Sequence, residues 1–189
     1  MTDKKYVDDP IHSPRRGDDP WHGDVHVEIA TKDDVDRIRD IVIAAYSKYV
    51  PRIGRRPAPM DADYDAMATS GNIHVLKREQ NVLGLIVITP QNDALMVGNL
   101  CVAPEAQGKG FGRVLMGHAE SVARSMNLAA ITLFTNEKMH ENIGLYVKLG
   151  FVVTGRRTEH GFERVYFRKA LDHAAGVTDL ARSSTREQK

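Results

Sequence analysis

Residues 105–115 read EAQGKGFGRVL, with glycines at 108, 110 and 112. Glycine inside a regular element costs roughly 0.5–1 kcal/mol relative to alanine. Three of them within five positions, at the start of a helical pattern, mark a place where backbone must approach something closely. The stretch follows an apolar run, ALMVGNLCVA (94–103), halted by Pro104. It leads into Phe111, Leu115, Ala119, Val122 and Met126, which form one buried stripe at helical spacing. The loop therefore joins a buried strand to a helix N-terminus. Unpaired N–H groups and the helix dipole, about half a positive charge, favour an anion there. Glycines let those amides reach it, which makes a phosphate cradle, and Lys109 and Arg113 would add formal charge. A tight strand-to-helix turn that merely needs glycine is the other reading.

Two familiar cradles fail on spacing. A P-loop requires G-x-x-x-x-G-K-[ST], but position 103 is Ala, and Gly110 follows Lys109. The dinucleotide fingerprint G-x-G-x-x-G requires glycine at 113, which is Arg.

Working outward, VHVEIA (25–30) reads as a strand. Thr31 opens a helix with Asp34 in a capping-box arrangement. Val35, Ile38, Ile41, Val42, Ala45, Tyr46 and Tyr49 share its apolar face, and Pro51 is expected to stop it. PRIGRRPAPM (51–60) is an irregular basic connection, and 61–70 is a second helix ended by Gly71. NIHVLKRE (72–79) and VLGLIVITP (82–90) are strands around a tight QN turn. The run 94–103 is apolar on both faces, so a central strand. A strand at 129–135 precedes a helix at 137–150 that Gly150 closes. FVVTGRRT (151–158) and FERVYFRKA (162–170) are strands joined by EHG. The order β-α-α-β-β-β-α-β-α-β-β predicts an α/β domain, a mixed sheet with helices on its faces.

Composition narrows the partners. Of 189 residues, 26 are basic and 25 acidic, a net charge of +1 that leaves no electrostatic footprint for nucleic acid or an anionic membrane. Cys101 is the single cysteine and points to a reducing compartment. No apolar run approaches a membrane span, and the N-terminal stretch has no apolar signal core, so the cytoplasm is expected. Residues 1–24 read as a disordered tail, with Trp21 able to dock on the domain. Residues 25–171 read as one domain, and 172–189 as a C-terminal tail in which DLARSS could form a helical turn.

Gln107, Gly110 and Gly112 form Q-x-x-G-x-G, and ENIGLYVKLGF follows at 141–151. Together they resemble the two signatures of the GNAT family of N-acetyltransferases, over about residues 25–171. The resemblance implies a mixed, mostly antiparallel central sheet with helices on both faces and two parallel central strands splayed apart. It implies that Gln107 and the backbone of Gly108, Lys109, Gly110, Phe111, Gly112 and Arg113 hold the pyrophosphate of acetyl-CoA. Leu100, Cys101 and Val102 would pair with its pantetheine arm. Asn142 would hydrogen-bond that arm, with Asn136 a second candidate. Tyr146 would protonate the leaving thiolate, and its ionisation would set the alkaline limb of the rate profile. Positions 139, 143, 146 and 150 share a helical face, so Tyr146 as a core residue stays open.

The function implied is acetyl transfer from acetyl-CoA to a primary amine of a small molecule or peptide by direct attack, without a metal. A non-catalytic acyl-CoA-binding regulatory module is the alternative. Direct attack leaves Cys101 no nucleophilic role; it fills a buried strand. A thiol of reference pKa about 8.5 is a tolerable leaving group. Neither ITLFT (131–135) nor LMVGNLCV (95–102) supplies a carboxylate base. Asp93, His74, Glu28, Asp65 and Tyr46 are scattered candidates, and ordered water is another. Without a strong base, a low-pKa amine is favoured: at neutral pH a lysine amine is uncharged in about one molecule in 2,500, an α-amine in roughly one in seven. Arg52, Arg55 and Arg56 lie among prolines where the acceptor pocket is expected. They would suit a carboxylate- or phosphate-bearing acceptor, reach the 3′-phosphate of the cofactor, or remain a solvated connector. The expected partners are acetyl-CoA and an amine, with no nucleic acid or membrane; a homodimer is left open.

Overall fold

The computed structural model describes residues 25–172. The expectations for 1–24, including Trp21, and for the tail beyond Asp172 lie outside the described residues.

Seven strands form one sheet: β1 (Val25–Ile29), β2 (Ile73–Arg78), β3 (Asn81–Gln91), β4 (Ala94–Val102), β5 (Ala130–Asn136), β6 (Val152–Glu159) and β7 (Phe162–Ala170), in the order β1-β2-β3-β4-β5-β7-β6. Every pairing is antiparallel except β4 with β5. The apolar run 94–103 is thus the middle strand. Five α-helices accompany the sheet among the described residues: α1 (Val35–Ser47), α2 (Val50–Ile53), α3 (Tyr64–Thr69), α4 (Phe111–Ser125) and α5 (His140–Lys148). α1 and α3 cover one face, where Tyr46 and Tyr64 reach Asn99 of β4. α4 covers the other. There a Cβ on Gly84 would lie 3.2 Å from Leu115 Cδ1 and 2.7 Å from the Cys101 carbonyl oxygen, so the close approach of β3, β4 and α4 requires glycine.

Local signals set several boundaries. Thr31 and Asp34 form the capping box, with both the Thr31 amide and hydroxyl donating to Asp34 Oδ2 (2.9 and 3.0 Å). The other carboxylate oxygen accepts from Lys77 Nζ at 2.8 Å, and Lys77 also reaches Glu28 at 2.7 Å. A buried lysine on β2 is thereby paired twice, which offsets the cost of its burial. Pro51 does not stop the first helix. α1 ends at Ser47, and Pro51 sits in the first turn of α2, where its missing N–H costs nothing. The β2–β3 turn is Glu79–Gln80, one residue before the expected QN, with Glu79 at φ 54°. In α4, Met126 is exposed; Met116 and Ala123 join Phe111, Leu115 and Ala119 in the buried stripe.

His74 on β2 and His118 on α4 meet with their nitrogens 2.9 Å apart. Burial pushes both below the ordinary histidine range, and His118 lowers His74 further. One neutral ring donates to the other; two protonated rings would repel. The unfolded chain therefore binds more protons than the folded one near the ordinary value of about 6.5, so stability rises with pH and is lost as pH falls through it. The thermal midpoint is expected to drop between about pH 7 and about pH 5, with the drop reduced in His118→Gln. An identical pH dependence in the two proteins would show that the pair resists no protonation.

Candidate functional site

β4 and β5 pair only over Ala94–Val97 and Ala130–Leu133, and beyond that they diverge. A β-bulge at Gly98 in the β3–β4 ladder helps: Val87 pairs with Asn99 and Ile88 with Val97, leaving Gly98 over. Past the bulge, Asn99 turns toward α1 and Leu100 toward α4, where it lies 3.9 Å from where a Cβ on Gly112 would sit. The Ala103 amide donates to Leu83 O, so strand alternation turns the backbone of Leu100 and Val102 away from β3 and into the gap. Gln107 Nε2 takes the Val102 carbonyl at 3.0 Å.

A cleft follows this gap. Its walls include Leu100, Cys101, Val102, Gln107, Gly108 and Gly110. Phe111, Gly112, Arg113 and Asn142 complete the set of expected cofactor residues found there. Lys109, half-buried in the same loop, does not line it. Gly108 and Gly110 hold φ of 78° and 85°, and Gly110 caps α4 in a left-handed conformation closed to most residues. A Cβ on Gly110 would meet nothing within 4 Å. Among the described residues, the amides of Gly108, Gly110, Phe111 and Gly112 donate to no backbone carbonyl. Unengaged backbone N–H groups at the start of a fifteen-residue helix are an arrangement suited to an anion.

A second, smaller cleft lies on the far side of the splay. Tyr46, Leu100 and Asn142 line both, so the two meet there. This explains why Ala45 and Tyr46, on the apolar face of α1, are only half-buried. Tyr146 lines the second cleft one helical turn beyond Asn142. Its ring packs on Phe167 and Phe151, with centroids 5.5 and 5.9 Å away, so it is a packed residue that also borders the cleft. No hydrogen bond engages its hydroxyl among the described residues. Burial raises its pKa well above that of free tyrosine, so the phenol keeps its proton throughout the usual assay range. The alkaline limb of a rate profile therefore cannot report its ionisation, contrary to expectation.

Sequence reading missed Asn99. Its Oδ1 accepts from Tyr46 OH at 2.9 Å and its Nδ2 donates to Tyr64 OH at 3.1 Å, while Tyr64 donates to Pro59 O at 2.8 Å. Cys101 Sγ also donates to Asn99, at 3.4 Å, and burial pushes its thiol up to about 12, so it is no nucleophile at neutral pH. Asn136 borders the second cleft and not the first, and its Oδ1 accepts from the Lys138 amide at 2.9 Å. The scattered base candidates separate: Asp93 pairs with Arg168, Glu28 with Lys77, Asp65 with Arg39, and His74 with His118. Only Tyr46 of that group borders the clefts.

The connection between α1 and α3 does border the second cleft, through Ile53, Pro57, Ala58 and Pro59. Its arginines do not. Arg52 holds Glu141 at 2.8 Å and keeps that carboxyl at about 2. Arg55 donates to His160 O at 3.0 Å and stacks on Phe162, and Arg56 pairs with Asp61 at 3.0 Å. Among the described residues, the cation lining the second cleft is Arg164 of β7. Among the described residues no group of three or more His, Cys, Asp or Glu side chains could hold a metal ion, and no helix is long and apolar enough to cross a membrane.

The model of the acetyltransferase (GNAT) family matches residues 35–151. The chain is similar to the peptidyl-lysine N-acetyltransferase YjaB of Escherichia coli (strain K12), 38% identical over 85 residues, 44% of this chain and 50% of that protein. It is also similar to the 5-NmdU N-acetyltransferase of Pseudomonas phage PaMx11, 32% identical over 96 residues, 48% of this chain and 64% of that one. The matched region thus spans about half to two thirds of these relatives' length. Among solved structures, the PaiA N-acetyltransferase of Thermoplasma acidophilum, in complex with coenzyme A, shares the fold. Its TM-score is 0.67 and its identity 12%, over 79% of this chain and all of that one. The ribosomal-protein-S18-alanine N-acetyltransferase of Escherichia coli does so at a TM-score of 0.63 and 15% identity, covering 82% of this chain and 99% of that one.

Proposed function

The chain belongs to the GNAT family of acetyltransferases, and on that premise we propose that it transfers the acetyl group of acetyl-CoA to a primary amine. The observation that carries this reading is the junction of two clefts at Tyr46, Leu100 and Asn142, one ending on a backbone anion cradle and the other not. The pyrophosphate binds the amides of residues 108–113, and the pantetheine arm pairs with the open backbone of Leu100 and the amide of Val102. The thioester then reaches the junction, where Asn142 contacts the arm. The amine enters by the second cleft. Its nitrogen forms a bond to the carbonyl carbon, the carbon–sulfur bond breaks, and Tyr146 donates its proton to the departing sulfur; water takes up the amine's proton and returns one to Tyr146. Relatives named as N-acetyltransferases, and a fold neighbour solved with coenzyme A, support this. The adjoining second cleft favours catalysis over a purely regulatory acyl-CoA module. Residues 25–171 form the catalytic domain, acting in the cytoplasm on an amine rather than on nucleic acid or membrane.

The test is release of free thiol from acetyl-CoA across a panel of amines, amino acids and peptides. Amine-dependent release with an equal amount of acetylated amine is expected. Tight acetyl-CoA binding without release for any acceptor would return the chain to the regulatory reading.

A further inference from the structure

We propose that Arg164 binds a carboxylate on the acceptor, so that the preferred substrates are amines carrying a carboxylate on an apolar body. The proposal rests on the reading of the second cleft as the acceptor site. Arg164 is the only charged side chain among the described residues lining that cleft, and no carboxylate lines it. A dicationic amine would find no counter-charge there, whereas an anion finds a guanidinium.

Arg164 is held for that task. Its Nη1 donates to Glu159 Oε2 at 2.9 Å, and its guanidinium lies 4.2 Å from the Phe134 ring centroid. Its side chain is 17% exposed. A planar fork held by the Glu159 carboxylate, the Phe134 ring and the Tyr166 hydroxyl keeps its remaining N–H donors in a set direction, which suits carboxylate binding. The Tyr166 hydrogen bond, then Arg164 and Arg157, hold the Glu159 carboxyl below the usual range, so it stays ionised and pairs with one edge of the Arg164 fork while the cleft side of the fork meets no carboxylate among the described residues. β7 alternation places Phe162 and Arg164 on one face, and the β5 register puts Arg164 beside Asn136. Phe134, Phe162, Ile53, Pro57 and Pro59 supply apolar walls for the rest of the acceptor.

Calorimetry of the full chain with coenzyme A present tests this with 3-phenylpropionate and its neutral amide. Wild type is expected to bind the carboxylate about tenfold more tightly than the amide, the worth of a charge-assisted hydrogen bond. Arg164→Gln should abolish that preference and Arg164→Lys should restore part of it, both with coenzyme A affinity unchanged, which also shows that they fold. Equal wild-type binding of the two probes, or loss of both alike in Arg164→Gln, would overturn the proposal. Retained carboxylate preference in a protein that releases no thiol with any amine would support Arg164 as an anion site and sink the transfer reading instead.

Discussion

Replacing Tyr146 by phenylalanine is expected to lower kcat by about 10- to 1000-fold, the lower part of the range for a positioned acid, with KM for acetyl-CoA nearly unchanged. Phenylalanine keeps the ring contacts with Phe151 and Phe167, so the core is preserved and only the hydroxyl is tested. In water the leaving thiolate would need little help, since its reference pKa is about 8.5. That modest basicity is why the loss is set in the lower part of the range. The remaining rate should keep the wild-type pH profile, because the phenol does not titrate in the assay range. Wild-type kcat in the Phe variant would make Tyr146 a core residue alone.

Gly110→Asp is expected to weaken acetyl-CoA binding by about 100- to 1000-fold. Two costs add. A non-glycine residue in the left-handed conformation costs roughly 1–2 kcal/mol, and a carboxylate facing the pyrophosphate costs on the order of 1–4 kcal/mol at about 4 Å. Gly110→Ala separates them. Its Cβ meets nothing within 4 Å, so it carries the strain without the charge and should lose about tenfold. Calorimetry with acetyl-CoA reads both. If Asp binds as well as Ala, the charge faces no phosphate and the cradle lies elsewhere.

The glycine loop was legible because what it reports is local. A left-handed N-cap at Gly110 and the capping box of Thr31 with Asp34 are decided within a few residues. The order of elements was legible for the same reason, through periodicity and breakers. Pro51 misled because proline marks a helix start as readily as a stop, and the first turn of α2 uses it that way. The partners of the arginines in 51–60 were not legible, because charge in a sequence does not reveal its partner. Arg52 finds Glu141, 89 residues on, and Arg55 finds a carbonyl 105 residues on. Arg164 escaped notice for the converse reason. FERVYFRKA reads as an ordinary alternating strand, and only the pairing of β7 with β5, beside a gap that β4 leaves open, brings one of its arginines to a cleft. Asn99 was hidden by the bulge at Gly98, which resets which residues of β4 face α1.

The most direct measurement is a crystal structure of the protein with coenzyme A. The pyrophosphate is expected within hydrogen-bond distance of the amides of residues 108–113. The pantetheine arm should lie along Leu100 and Val102, and the sulfur should stand at the junction of the clefts beside the Tyr146 hydroxyl. A coenzyme bound with its sulfur outside that junction, or with its pyrophosphate away from the α4 N-terminus, would contradict the account.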